Sequence, residues 1–417
     1  MLLRSKYLLI NPETLVENGF VCVSGDRIKS SGKFSEHECR GEKAIDLGET
    51  VIMPGLVNPH AHLEGPETFG GTPPPGEKRL LPFQSFTEWA EQIINMRQRM
   101  KPDIFIKTTD HGYDLLAING ITFVGDHSHI ARTKNIHANA KIRRVVFEEV
   151  TDLNPLTAQQ RFDEVRRNVK LIKKDKFLGT GVAPHAPYTV SSELYKKLYG
   201  FARQQNIPLS THLSELKEER ELLTKGKGKI RAYLKRVGRD NYYWRHPGTT
   251  SVQYMAKLGV LRPPSFFVHC NYLSNKDITV LAKSGVSVVF CPSSHYFFGH
   301  RNHPFRKLLK LKVNVALGTD GLGSNEDLSI LKEMKFILDH YPGVNPTQLL
   351  RMGTLNGLKT LKATEKLGEL KPGYCADIAA FPLKHKSTKP EHLKRVLIET
   401  SPKSILTMVA GKIIHRG

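Results

Sequence analysis

Four histidines and an aspartate stand along this chain where they could converge on one metal ion: His60 and His62 in Pro59-His60-Ala61-His62, then His212, His269 and Asp320. Each closes a short apolar, β-branched run, such as Phe266-Phe267-Val268 before His269 and Val313 to Thr319 before Asp320. Side chains alternate along a strand, so His60 and His62, two positions apart, point the same way. Two such imidazoles, with a third imidazole and a carboxylate from distant strands, make a site for a divalent ion with one position left open. An open position holds water, which a divalent metal acidifies towards a pKa of ~7, giving hydroxide in neutral solution. Glu215 lies three residues beyond His212 in Thr211-His212-Leu213-Ser214-Glu215 and can turn back over the pocket to take that water's proton. His269 and Asp320 would flank the same water. Attack on the amino-bearing carbon of a cyclic amidine, with protonation of a ring nitrogen and then of the departing amine, is hydrolytic deamination, and stabilising the tetrahedral adduct is the demanding part. Taken singly, each histidine also fits a core or loop position and Asp320 an ordinary turn; the joint placement at strand ends carries the metal reading.

Those residues need a frame that brings distant strand ends together. Candidate strands are Val51 to His60, Gly120 to Asp126, Arg143 to Val150, Phe177 to Ala183, Pro208 to His212, Ser265 to His269, Val286 to Cys291 and Val313 to Thr319. Helical spacing fills the intervals, as in Phe105 to Ala117, Gln159 to Ile172, Ser192 to Gln204, Asp277 to Lys283 and Asp327 to Leu338. Eight parallel-type strands alternating with helices predict an α/β fold, a (β/α)8 TIM barrel, with the polar candidates at the carboxyl ends of its strands where barrel enzymes build their sites. The termini differ: Phe20 to Ser31, Ile45 to Met53 and Ile405 to Ile414 alternate, and Val409-Ala410-Gly411-Lys412 is a hairpin signal. The expected organisation is a composite β-sandwich from residues 1–53 and 365–417 beside a barrel of residues 54–364. Thr72-Pro73-Pro74-Pro75-Gly76 is expected to cap the pocket mouth, and the long stretch Lys217 to Pro247 to cover the site or mediate subunit contact.

With 417 residues, the chain is long enough for a barrel of roughly 250 residues plus a smaller unit. No apolar run approaches the ~18 residues of a membrane span, and the opening Met1 to Tyr7 lacks the apolar segment of a signal peptide. Five cysteines without CxxC spacing argue against disulfides and thiolate zinc, and for a cytoplasmic protein. The net charge of +22, concentrated in Lys217 to Arg245, Arg161 to Lys176 and Arg301 to Lys312, is read as a solvated basic surface rather than a nucleic-acid site. A catalytically inactive barrel with a basic nucleic-acid-binding face is the reading from another class; a scaffold has no need of a proton shuttle, and Glu215 speaks against it.

Pro54-Gly55-Leu56-Val57-Asn58-Pro59-His60-Ala61-His62 resembles the opening motif of the amidohydrolase superfamily, and Leu367-Gly368-Glu369-Leu370-Lys371-Pro372-Gly373-Tyr374-Cys375-Ala376-Asp377 its C-terminal signature. Members are (β/α)8 barrels with a small β-sandwich from both termini. Ala183 to Thr189, His212 to Glu215, Val268-His269-Cys270, Cys291 to Ser294 and Gly318-Thr319-Asp320 are similar to the branch that deaminates adenosine-like nucleosides and dechlorinates triazines. The resemblance implies one divalent ion per chain, zinc or iron, held by His60, His62, His212 and Asp320. It also implies Glu215 as proton shuttle, His269 orienting water or substrate, and His185 touching substrate. No lysine stands in the region of His185, where the dinuclear branch needs one. His295 occupies a position usually held by asparagine in adenosylhomocysteine deaminases. That segment and the insert after Lys217 are similar to aminodeoxyfutalosine deaminase-like members of menaquinone-producing bacteria, so a 6-aminopurine nucleoside is the expected small-molecule substrate. The alternatives are adenosylhomocysteine, methylthioadenosine or guanine deamination, and triazine dechlorination. His295 and Phe297 are expected at the substrate, and Tyr296, Phe297 and Phe298 are candidates to stack on a flat heterocycle. Glu148, Glu149 and Arg231 are candidates for the sugar or tail, and relatives are often homo-oligomers.

Overall fold

The computed structural model describes residues 1–35, 44–65, 85–241, 243–363, 365–383 and 389–417. Eight β-branched and aromatic runs form parallel strands: β1 (Leu56–His62), β2 (Ile121–Ser128), β3 (Arg143–Val150), β4 (Leu178–Pro184), β5 (Leu209–Leu213), β6 (Ser265–His269), β7 (Ser287–Phe290) and β8, which runs Asn314–Leu317 and resumes at Asp320–Gly321. Each pairs with the next in chain order. The ring closes where Asp320 pairs with Ala61 of β1. The strands are buried almost throughout, as parallel strands covered on both faces must be. Val57, Phe123, Val145, Phe147, Phe266, Val268, Val289 and Ala316 fill the barrel, while a larger apolar layer packs strands against surrounding helices.

The second sheet is drawn from both ends of the chain. Leu2–Leu9, Leu15–Ser24, Arg27–Lys33, Ala44–Asp46 and Thr50–Pro54 join Ile378–Pro382, Leu406–Val409 and Lys412–Arg416, mostly antiparallel. The hairpin at Ala410-Gly411 has φ of 47° and 75°, the doubly left-handed turn that matches strand twist. A Cβ on Gly411 would lie 1.9 Å from the Gly25 carbonyl oxygen, so only glycine fits.

One expected strand divides in two. Val51 to His60 is interrupted at Gly55: Thr50–Pro54 belongs to the terminal sheet and Leu56–His62 to the barrel. The Gly55 amide donates to the Asp377 carbonyl across that junction, and a Cβ there would sit 2.1 Å from the Thr122 hydroxyl. Apolar residues continue through the break because both sheets bury them, which hides it from any periodicity.

Two helical segments unrecognised in the sequence close over the mouth of the barrel: Phe86–Arg99, and the pair Lys217–Lys225 and Lys229–Arg236 within the long insert. Leu222, Leu223, Ile230, Tyr233 and Leu234 pack with Tyr188 and Trp244, and Phe86, Ala90 and Ile94 lie against them. Arg236 and Glu91 tie the two segments at 2.9 Å. The expected cap Thr72 to Gly76 lies outside the described residues.

Candidate active site

The carboxyl ends of β1, β5, β6 and β8 bring His60, His62, His212, His269 and Asp320 together. His60 and His62 turn their Nε2 atoms to Asp320 Oδ1 at 3.6 and 3.7 Å. His212 Nε2 stands 3.3 Å from His60 Nε2. Four ligands about 2.0–2.1 Å from a tetrahedral ion lie roughly 3.3–3.4 Å from one another, so this donor set fits one. Two ring nitrogens facing each other so closely have no hydrogen bond to offer unless a proton or a cation lies between them. Burial holds His60 at about 3 and His62 well below its usual range, which leaves lone pairs available. Burial opposes the charge on Asp320, but the His60 hydrogen bond and the surrounding imidazoles keep its carboxyl well below the ordinary range.

Neighbouring groups fix each donor. His212 Nδ1 donates to the His185 carbonyl at 3.1 Å, which turns Nε2 inward. Asp320 Oδ2 accepts from the Ser294 and Ser324 hydroxyls, both at 2.8 Å, leaving Oδ1 for the histidines. His269, Cys270 and Asp320 have φ of 68°, 56° and 61°, values that cost non-glycine residues energy and swing these strand ends into the cavity.

Glu215 is buried, with Oε1 3.7 Å from His269 Nε2. Burial, then Asp320 and Glu219, push its carboxyl well above the usual range. The turn that places it is held by Glu219, whose carboxylate accepts from the amides of Ser214 and Glu215 at 2.9 Å and from the Ser251 hydroxyl at 2.5 Å.

Above the cluster opens a cavity of about 350 Å³. His62, His212, His269 and Asp320 form its floor, and Phe86, Trp89, Ile93, Tyr188, Leu234 and Phe298 supply an apolar wall. Glu149, Thr151 and His185 face it from β3 and β4, and Arg97, Arg132 and Arg239 from the rim. The insert thus covers the site through Tyr233, Leu234 and Arg239.

Several expected contacts fall elsewhere: Glu148 turns outward to Asn168 and Ile130, and Tyr296 packs on Phe336 and His340. Phe297 is 44% exposed and off the cavity wall; its neighbour Phe298 packs instead on Phe86 and Trp89, with centroids 5.1 and 5.0 Å away. One residue along a helix end is about 100° of rotation, enough to exchange solvent for cavity. His295 lies beneath the wall, bonded through Nδ1 to Asn271 at 2.9 Å; Asn271 in turn donates to the Glu215 carbonyl, so His295 supports the turn without reaching the cavity. Arg231 pairs with Asp240 at 2.7 Å outside the cavity.

Several residues at the site carried no role in the sequence. His127 lies under His60, stacked on Phe147 at 4.7 Å and bonded to Ser210. Glu64 and His129, 2.5 Å apart, line the cavity. Glu64 continues the alternation of 60 and 62 and was findable by it; Trp89 and Arg97 had no such signal.

The sequence profile described as the Amidohydrolase family matches residues 51–414. The chain belongs to the amidohydrolase family. This amidohydrolase is 29% identical over 398 residues to a 5-methylthioadenosine/S-adenosylhomocysteine deaminase of Pyrococcus furiosus, covering 92% of the chain and 85% of that protein. It is 27% identical over 430 residues to a 5'-deoxyadenosine deaminase of Methanopyrus kandleri, covering 98% and 92%. Its fold matches that of Helicobacter pylori aminofutalosine deaminase in complex with methylthio-coformycin, with a TM-score of 0.85, 20% identity and 99% of each chain covered. It also matches a zinc-complexed atrazine chlorohydrolase of Arthrobacter aurescens, with a TM-score of 0.81, 18% identity and coverage of 100% and 95%. The protein is therefore a hydrolase of a metal-dependent family, and His60, His62 and His212 form a candidate metal cluster within it. Among the described residues, no helix is long and apolar enough to cross a membrane.

Proposed function

We propose that the protein hydrolytically deaminates a 6-aminopurine nucleoside derivative, using one divalent ion, zinc or iron, held by His60, His62, His212 and Asp320. The observation that carries this reading is Glu215: a buried carboxyl with a raised pKa, 3.7 Å from His269 and sharing a cavity wall with the histidine cluster. The ion, when bound, supplies an acidified water and a fixed positive charge. Glu215 takes a proton from the attacking water and delivers it to the ring nitrogen beside the reacting carbon, and a second transfer lets the amino group leave as ammonia. His269, neutral through burial, orients water and ring by hydrogen bonding. The wall of Phe86, Trp89 and Phe298 offers aromatic edges and faces to a flat heterocycle and excludes water.

The substrate favoured here is an aminodeoxyfutalosine-like nucleoside, supported by the sequence segments after Lys217 and around His295 and by the likeness in fold to aminofutalosine deaminase. The names of the curated relatives favour a second reading, methylthioadenosine or S-adenosylhomocysteine. Ammonia release by zinc- and iron-loaded protein from aminodeoxyfutalosine, S-adenosylhomocysteine, methylthioadenosine, 5'-deoxyadenosine, adenosine and guanine distinguishes them. Turnover of one nucleoside above the others identifies the substrate. Release from none of the purines, with one ion bound per chain, overturns the purine reading.

A further inference from the structure

β3 ends in two consecutive glutamates that alternation sends to opposite faces. Glu148 points outward, accepting from Asn168 Nδ2 and the Ile130 amide, both at 2.7 Å. Glu149 points inward, as does Thr151 two residues on, and both line the cavity. Its Oε1 is buried and has no hydrogen-bond partner among the described residues. A buried carboxylate oxygen left without a donor is costly and calls for an occupant.

Glu149 offers an oxygen within 4.8 Å of ring nitrogens of His185 and His212. That trio resembles a second metal site, but His212 has no lone pair to give it: Nδ1 donates to the His185 carbonyl and Nε2 faces His60. His185 can be read further. Its Nδ1 lies 2.9 Å from Thr189 Oγ1, and that hydroxyl already donates to the Ala186 carbonyl. The Thr189 hydroxyl has one hydrogen, so His185 Nδ1 carries the proton and Nε2 keeps the lone pair. Glu149 and His185 are thus two neighbouring acceptors on a cavity wall, beside the metal cluster.

Two acceptors at this spacing suit two O–H donors on adjacent carbons. We infer that Glu149 and His185 form a subsite for the sugar hydroxyls of the substrate, with Glu149 the specificity-determining member. This rests on the nucleoside reading above, since it supposes a sugar attached to the ring being deaminated.

The test compares kcat/KM, by ammonia release, for adenosine and 2',3'-dideoxyadenosine. The same comparison is made for the best-turned-over nucleoside of the panel and its 2',3'-dideoxy counterpart, in wild type, Glu149→Gln, Glu149→Asp and Glu148→Gln. Wild type should prefer the diol by about 10- to 100-fold, the size of a hydrogen bond to a charged acceptor, and Glu149→Gln should bring that ratio to within about threefold of unity. Glu149→Asp, which keeps the charge but shortens the reach, should give an intermediate ratio and serves if the glutamine variant does not fold. Glu148→Gln should keep the wild-type ratio. A Glu149→Gln enzyme with undiminished diol preference, or a wild type with none, overturns the subsite while leaving the deaminase reading intact. Should Glu149→Gln instead erase a preference for S-adenosylhomocysteine over methylthioadenosine and spare the diol preference, the carboxylate serves an ammonium and the hydroxyl assignment is overturned. Ammonia from no nucleoside removes the nucleoside reading and this inference with it.

Discussion

The junction between the two sheets and the mouth of the barrel both bury charged groups, and they do so in opposite ways. At the junction, Arg143 reaches from β3 to Asp377 with two hydrogen bonds of 2.7 and 3.1 Å, and Asp377 also accepts the Ala410 amide. The two charges of this pair satisfy each other within the protein. At the mouth, His60, His62, His212 and Asp320 turn donor atoms towards one another at 3.3–3.7 Å, and Glu149 Oε1 has no partner among the described residues. Comparable burial therefore takes two forms: the pair at the junction ties the two sheets together, while the groups at the mouth are left facing one another and the cavity.

The contrast can be broken most severely at the mouth. His62→Ala should lose both bound metal, measured by elemental analysis, and ammonia release, yet retain its fold by circular dichroism. Glu215→Gln is the sharper variant, since it should keep its metal while kcat falls by roughly 10²–10⁴-fold. Full activity in that protein would remove Glu215 from the proton path. At the junction the currency is stability: Asp377→Ala strands a buried arginine and should destabilise the fold by about 3–5 kcal/mol in denaturant titration, with the metal stoichiometry of the folded fraction unchanged. The smallest effect concerns Glu148, which burial raises to about 7 despite its bonds to Asn168 and Ile130. A carboxyl whose folded pKa lies above its unfolded value of 4.5 holds its proton more tightly in the native state. It therefore contributes stability at low pH, and that contribution is lost as pH rises from about 4.5 to about 7. Glu148→Gln should flatten the decline of Tm across that window by an amount on the order of a few °C.

Much of the barrel was legible because its signals are local. Ser192–Gln204 and Arg143–Val150 emerge with the expected limits, and the histidines sit at strand ends because a β-branched run leads straight into each. What escaped depends on packing between distant segments. Which of Phe297 and Phe298 faces the cavity is decided by where a six-residue helix stops. His127 and His129 differ by two positions, yet one packs under the histidine cluster and the other pairs with Glu64. The helix Phe86–Arg99 went unrecognised although Ser85 caps it, since only Ile93 is fully buried and its remaining apolar residues are half covered.

The closure of the barrel also bears on the order in which the protein matures. Asn58 and Thr319, 261 positions apart, share a 2.7 Å hydrogen bond, and Asp320 pairs with Ala61 beside it. Contacts so distant in sequence carry a large loop-closure entropy and are expected late in folding. His60 and His62 can form their local strand early, but the aspartate that faces them arrives only with the last strand. Capture of the ion would then follow ring closure, and a chelator added during refolding should leave the rate of barrel formation unchanged while withholding only the final step of activation.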